Sequence, residues 1–104
     1  VADNVKLIVG LFEETVPRFR DGLDARLGLI HIDCDLYSST KVVLDELASR
    51  IGTGCVIVFD EYFNYAGWQD GEFKAFAEFI ASTGFRFEYL CYNRIHEQVA
   101  VRIL

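Results

Sequence analysis

Two apolar runs, LGLIHID at 27–33 and CVIVFDEY at 55–62, each surface into acids, and one helix-length segment separates them. Near-continuous apolar runs of this length describe strands covered on both faces, the pattern of a parallel sheet. Parallel strands cannot be joined by a tight hairpin and need a crossover. Consecutive strands joined by a helix lie side by side, so their carboxyl ends share one edge of the sheet. The chain is thereby constrained to an α/β sheet in which Asp33 and Asp35 meet Asp60 and Glu61.

The remaining elements fit around that unit. Ser38 and Ser39 are candidate N-caps for a helix through about Arg50, with Val43, Leu44, Leu47 and Ile51 on one face and Gly52 and Gly54 ending it. NYAGWQDG reads as a loop in which Asp70 caps a helix carrying a Phe73, Phe76, Ala77 and Ile80 stripe, closed by Gly84. FRFEYLCYN at 85–93 alternates, HEQVAVRIL at 96–104 is apolar, and the short gap between them predicts an antiparallel hairpin. Upstream, NVKLIV at 4–9 is a short strand candidate. After Gly10, EETVPRFRDGLD reads as a polar connection with about one helical turn, limited by Pro17.

Composition narrows what such a sheet can do. A net charge of −6 with no basic cluster gives no electrostatic footing for nucleic acid. No apolar run approaches the roughly 20 residues a membrane span requires, and no signal segment is visible after Val1, so a soluble, cytoplasmic protein is expected. With 52% apolar residues, 104 residues are few to cover both faces of such a sheet. Residues 1–104 are therefore expected to form a single partial domain. Cys34, Cys55 and Cys91 have neither CxxC nor zinc-ligand spacing and read as reduced core residues. His31, inside its strand, also reads as a core residue, and His96 carries no motif.

Ligand sites in open α/β sheets lie at the carboxyl edge, which is where the four acids converge. Carboxylates so placed repel unless they are protonated, solvated or bridged by a cation. Oxygen ligands without His or Cys suit Mg²⁺, Mn²⁺ or Ca²⁺. Strand alternation would turn Asp33 and Asp35 to the same side. The acids also admit plainer readings, as solvated strand ends and caps or as a structural ion cluster.

HIDCDLYSST, GTGCVIVFDEY, WQDGE and EQVAVRIL together resemble the macrocin O-methyltransferase family, S-adenosylmethionine-dependent enzymes that methylate sugar hydroxyls on antibiotics and related glycosides. NVKLIVGLFEETVP also matches its pattern, so the resemblance spans nearly the whole chain. It implies a class I methyltransferase (Rossmann-like) sheet, mostly parallel with a terminal antiparallel hairpin. By the same resemblance, Asp33, Asp60 and Glu61 would hold Mg²⁺ and Asp35 would be the general base. Many members carry Asp-Asp where this chain has Asp60-Glu61. Tyr37, Tyr62 and Trp68 fall where the pocket for a hydroxyl-bearing acceptor, such as a glycoside, would be.

One family feature is missing. The methyl donor rests on a Gly-rich turn after the first strand and an acid after the second, and this sequence holds no GxGxxG-like stretch. The chain thus reads as the C-terminal part of the catalytic domain, with the donor-binding half absent and the chain inactive alone. Its strands would then lie in the order 27–33, 55–60, 96–104, 85–93, with a bare apolar edge at LGLIHI open to homo-oligomer pairing. Two alternatives remain. HIDCDLY also resembles the DxD signature of haloacid dehalogenase-type Mg²⁺ phosphotransferases, although Tyr37 stands where Thr is usual. The chain could also be a non-catalytic remnant that binds a partner through its edge.

Overall fold

The structure is a computed structural model and describes residues 2–104. In chain order it contains α1 (Phe12–Asp21), β1 (Leu29–Ile32), α2 (Tyr37–Leu47), β2 (Val56–Phe59), α3 (Glu72–Thr83), β3 (Phe87–Tyr92) and β4 (Val99–Ile103). The sheet order is β1-β2-β4-β3, the order that the family resemblance implies. β1 runs parallel to β2, with Leu29 opposite Val56 and Ile32 opposite Phe59. β4 is antiparallel to both of its neighbours, so β1, β2 and β3 share one direction. This is a mixed α/β sheet with a terminal hairpin. A register irregularity between Tyr89 and Cys91 shifts the hairpin pairing.

The core lies between the sheet and the α2 and α3 helices. From α2 it takes Leu44 and Leu47, from β2 Ile57 and Phe59, from α3 Ala75, Phe76 and Phe79, and from β4 Val99, Val101 and Ile103. Tilted and edge-on aromatic contacts run through it, with Phe59 and Phe76 ring centroids 5.1 Å apart and Phe76 and Phe87 at 4.9 Å. Such pairs add about 1 kcal/mol each beyond their burial. Gly84 ends α3 with φ of 73°, donating its N–H to Ile80 O, the left-handed cap that glycine adopts without steric cost.

Several local expectations are corrected. Residues 4–9 form no strand: Val5, Leu7, Ile8 and Val9 are exposed and no neighbouring strand offers them hydrogen bonds. The segment after Gly10 is a ten-residue helix that continues through Pro17. Proline deletes the bond to the Glu13 carbonyl, but Glu13 and Glu14 in the first turn and Arg18 and Arg20 in the last complement the helix dipole. Arg20 then ties α1 to α2 through Glu46, Nη1 to Oε2 2.6 Å. Ser38 and Ser39 lie within the first turn of α2 and do not cap it; Leu36 precedes the helix without a side-chain cap. Gly71, not Asp70, occupies the N-cap of α3. The buried stripe of α3 is Glu72, Ala75, Phe76 and Phe79, and Ala77 is exposed.

β1 is an edge strand and is not covered on both faces: Leu29 is 64% exposed and His31 is also exposed, which removes it from the core. Cys55 is buried as expected, but Cys34 is only partly buried and Cys91 is exposed. Among the described residues, no helix is long and apolar enough to cross a membrane.

Candidate active site

The parallel register brings the ends of β1 and β2 together, and Asp60 N–H continues the ladder by donating to Ile32 O at 2.9 Å. Beyond Ile32 the chain does not continue as a strand. Asp35 adopts φ of 64°, and Leu36 N–H donates to Cys34 O at 2.7 Å across it. This three-residue turn holds a non-glycine residue in the left-handed region, a conformation that costs on the order of 1–3 kcal/mol and that Asp tolerates better than most side chains. Asp33 and Asp35 therefore converge through a turn and not through strand alternation.

One carboxylate oxygen from each of Asp33, Asp35 and Glu61 lies within 4.8 Å of the others. Asp60 stands beside this trio and faces a different set of partners: its Oδ1 is 3.5 Å from Gln98 Nε2 and 3.8 Å from His31 Nε2. The negative charge of Asp60 raises the Asp33 carboxyl above its ordinary range, with desolvation adding to the effect. Glu61 is raised first by hydrogen bonding with Asp35, then by burial. Both shifts have one physical cause: neighbouring carboxylates repel one another and favour the protonated form.

Glu72, to which the sequence reading gave no role, lies beneath the cluster. It is 1% exposed, and its Oε1 accepts the Glu61 backbone N–H at 2.9 Å while Oε2 has no partner among the described residues. Burial pushes its carboxyl up to about 7, against the lowering effect of that hydrogen bond. Thr40, on the buried face of α2, likewise has an unpartnered Oγ1. A charged residue three and four positions before Ala75 and Phe76 is the signal that could have revealed Glu72, had the stripe been read in the observed register.

The aromatic residues separate. Tyr62 and Trp68 line a cavity of about 310 Å³ together with Phe63, Phe73, Tyr89 and Tyr92. Tyr62 is itself largely buried, its hydroxyl 2.9 Å from that of Tyr89, and burial raises its phenol well above the usual range. Tyr37 does not join them. Its hydroxyl donates to Glu78, its ring lies 4.7 Å from Lys74 Nζ, and the Glu78 hydrogen bond raises its phenol.

Comparison with known proteins gives a consistent result. Residues 1–84 match the family described as Macrocin-O-methyltransferase (TylF). Over 60 residues the chain is 37% identical to 8-demethyl-8-(2,3-dimethoxy-alpha-L-rhamnosyl)-tetracenomycin-C 4'-O-methyltransferase of Streptomyces olivaceus, a match covering 58% of this chain and 22% of that protein. Its fold is similar to the apo structure of CalS11, a TDP-rhamnose 3'-O-methyltransferase of calicheamicin biosynthesis, with TM-score 0.69 and 28% identity over 89% of this chain and 38% of that one. The O-methyltransferase NovP gives TM-score 0.69 and 25% identity over 89% of this chain and 35% of NovP. The chain thus spans about a fifth of the curated relative and little more than a third of the solved ones.

Proposed function

The chain belongs to the macrocin O-methyltransferase family, and from that membership we propose that the protein is an S-adenosylmethionine-dependent O-methyltransferase acting on a hydroxyl of a sugar or similar small molecule. The observation that carries this reading is the carboxylate trio of Asp33, Asp35 and Glu61 at the shared carboxyl edge of two parallel strands. The donor set is all oxygen and over-charged, which fits a hard divalent cation such as Mg²⁺. Asp33 and Glu61, with Asp60 beside them, would hold it. Bound there, Mg²⁺ supplies Lewis-acid polarisation that lowers the pKa of an acceptor hydroxyl.

Asp35 is the base. Its backbone turn aims the carboxylate into the cluster, where it accepts the hydroxyl proton and leaves the acceptor oxygen nucleophilic. Asp60, faced by Gln98 and His31, sets the charge beside Asp33. Tyr62 and Trp68 provide an apolar aromatic wall near Glu61 against which a sugar face can rest; Tyr37, engaged with Glu78, belongs to the α2–α3 packing. The residues of this chain do not supply a Gly-rich donor turn. On this reading the donor seat would come from chain outside residues 1–104, which would act as the C-terminal part of a catalytic domain.

The test separates base from ligand. In the intact protein, Asp35→Asn should lower methyl transfer by at least about 100-fold while keeping Mn²⁺ affinity close to the parent's, and Asp33→Asn should lose both. Loss of Mn²⁺ binding in Asp35→Asn would make Asp35 a ligand. Turnover of a phosphate ester that disappears in Asp33→Asn would instead favour phosphotransfer.

A further inference from the structure

Glu61 has the longest arm of the trio, one methylene longer than an aspartate's, with more ways to point. Its backbone, however, is held at both polar atoms by side chains. The N–H donates to Glu72 Oε1 at 2.9 Å, and the carbonyl accepts from Tyr65 Oη at 3.2 Å. Neither partner is close in the sheet ladder: Tyr65 comes from the loop after β2 and Glu72 from the first turn of α3.

Two details show that this arrangement is built. Glu72 is a carboxylic acid in an otherwise apolar stripe, 1% exposed, with its second oxygen unpartnered. An apolar residue there would avoid that desolvation cost, on the order of 1–3 kcal/mol. Gly71, adjacent to it, leaves the space that the Tyr65 hydroxyl enters, since a Cβ at that position would collide with Tyr65 Oη. Residues 65, 71 and 72 thus cooperate to fix the two peptide units that flank the Glu61 Cα.

We propose that Glu72 and Tyr65 are positioning residues that clamp the Glu61 backbone so that its carboxylate meets Asp33 and Asp35, with Gly71 admitting the tyrosine. The clamp rests on the reading that Asp33 and Glu61, with Asp60 beside them, hold a divalent cation, and it acts only through Glu61. Outer partners that orient a ligand commonly matter by about 10–100-fold in metal affinity.

The experiment is Mn²⁺ titration of the intact protein by calorimetry, with thermal melts to confirm folding. Tyr65→Phe should weaken Mn²⁺ binding by about tenfold. The same substitution in a Glu61→Ala background should change nothing. Glu72→Met, similar in shape but without an acceptor, should lose affinity comparably, and Glu72→Gln, which keeps an oxygen for the Glu61 N–H, should recover most of it. If Glu72→Met does not fold, the tyrosine cycle decides. Parent-like affinity in Tyr65→Phe, or an equal loss with and without Glu61, overturns the clamp while leaving the cation site standing. No Mn²⁺ binding by the parent protein overturns the cation site, and the clamp with it.

Discussion

The two flanks of the sheet begin from similarly apolar sequence and end in opposite conditions. On one side β4 buries Val99, Val101 and Ile103 between β2 and β3, and α3 seals the face with Phe76 and Phe79. On the other, β1 leaves Leu29 64% exposed, and Leu7 and Val9 are 74% and 94% exposed. Hydropathy alone does not distinguish them. What differs is whether the chain supplies a partner strand, and an apolar run without one cannot satisfy its backbone or bury its side chains.

That contrast can be broken by substitution. The largest effect is expected on the sealed flank, where Phe76→Ala should cost about 3–5 kcal/mol in urea unfolding; Val9→Ala on the open flank should stay within about 0.5 kcal/mol. A comparable loss in both would mean that the open flank is covered in solution. The next effect comes from Glu72, whose carboxyl is pushed by burial up to about 7 from an ordinary 4.5. A raised acid makes the folded state bind the proton more tightly than the unfolded one. Without added metal, stability should therefore fall by about 3 kcal/mol as pH rises from below 4.5 to above 7, a slope that Glu72→Gln removes. A flat profile in the parent would show that water reaches Glu72.

On the open flank we expect β1 to pair with a second copy through its free edge. Leu29→Lys should then halve the sedimentation mass while moving stability by no more than about 0.5 kcal/mol; an unchanged monomeric mass in parent and variant would remove the pairing. The smallest effect is at the surface. The exposed Arg102 and Glu88 ion pair joins β4 to β3, and Arg102→Ala should cost no more than about 1 kcal/mol, less at high salt.

The same contrast explains what was legible in the sequence. The meeting of Asp33 and Asp35 with Asp60 and Glu61 followed from one β-α-β unit, because handedness and crossover rules leave little freedom there, whereas the full strand order followed from the family resemblance. Helix α3 was found but read one residue out of register: Phe73, Phe76, Phe79 and Ile80 satisfy two overlapping stripes, and only packing on β2 and β4 selects the one containing Glu72. The left-handed turn at Asp35 had no signal, since Asp reaches that region without a neighbouring glycine. Residues 4–9 were misread because periodicity reports a strand's composition but not its partner.

The position of β4 carries a consequence for how this domain comes into being. It is the last strand of the chain and yet occupies the interior of the sheet, between β2 and β3. During synthesis β3 emerges with no strand to pair with, and the gap between β2 and β3 stays open until residues 99–103 leave the ribosome. The sheet must therefore wait for β4 to be threaded into its middle, and a nascent chain stalled before residue 99 would present two unfilled edges, on β2 and β3, to the chaperones around it.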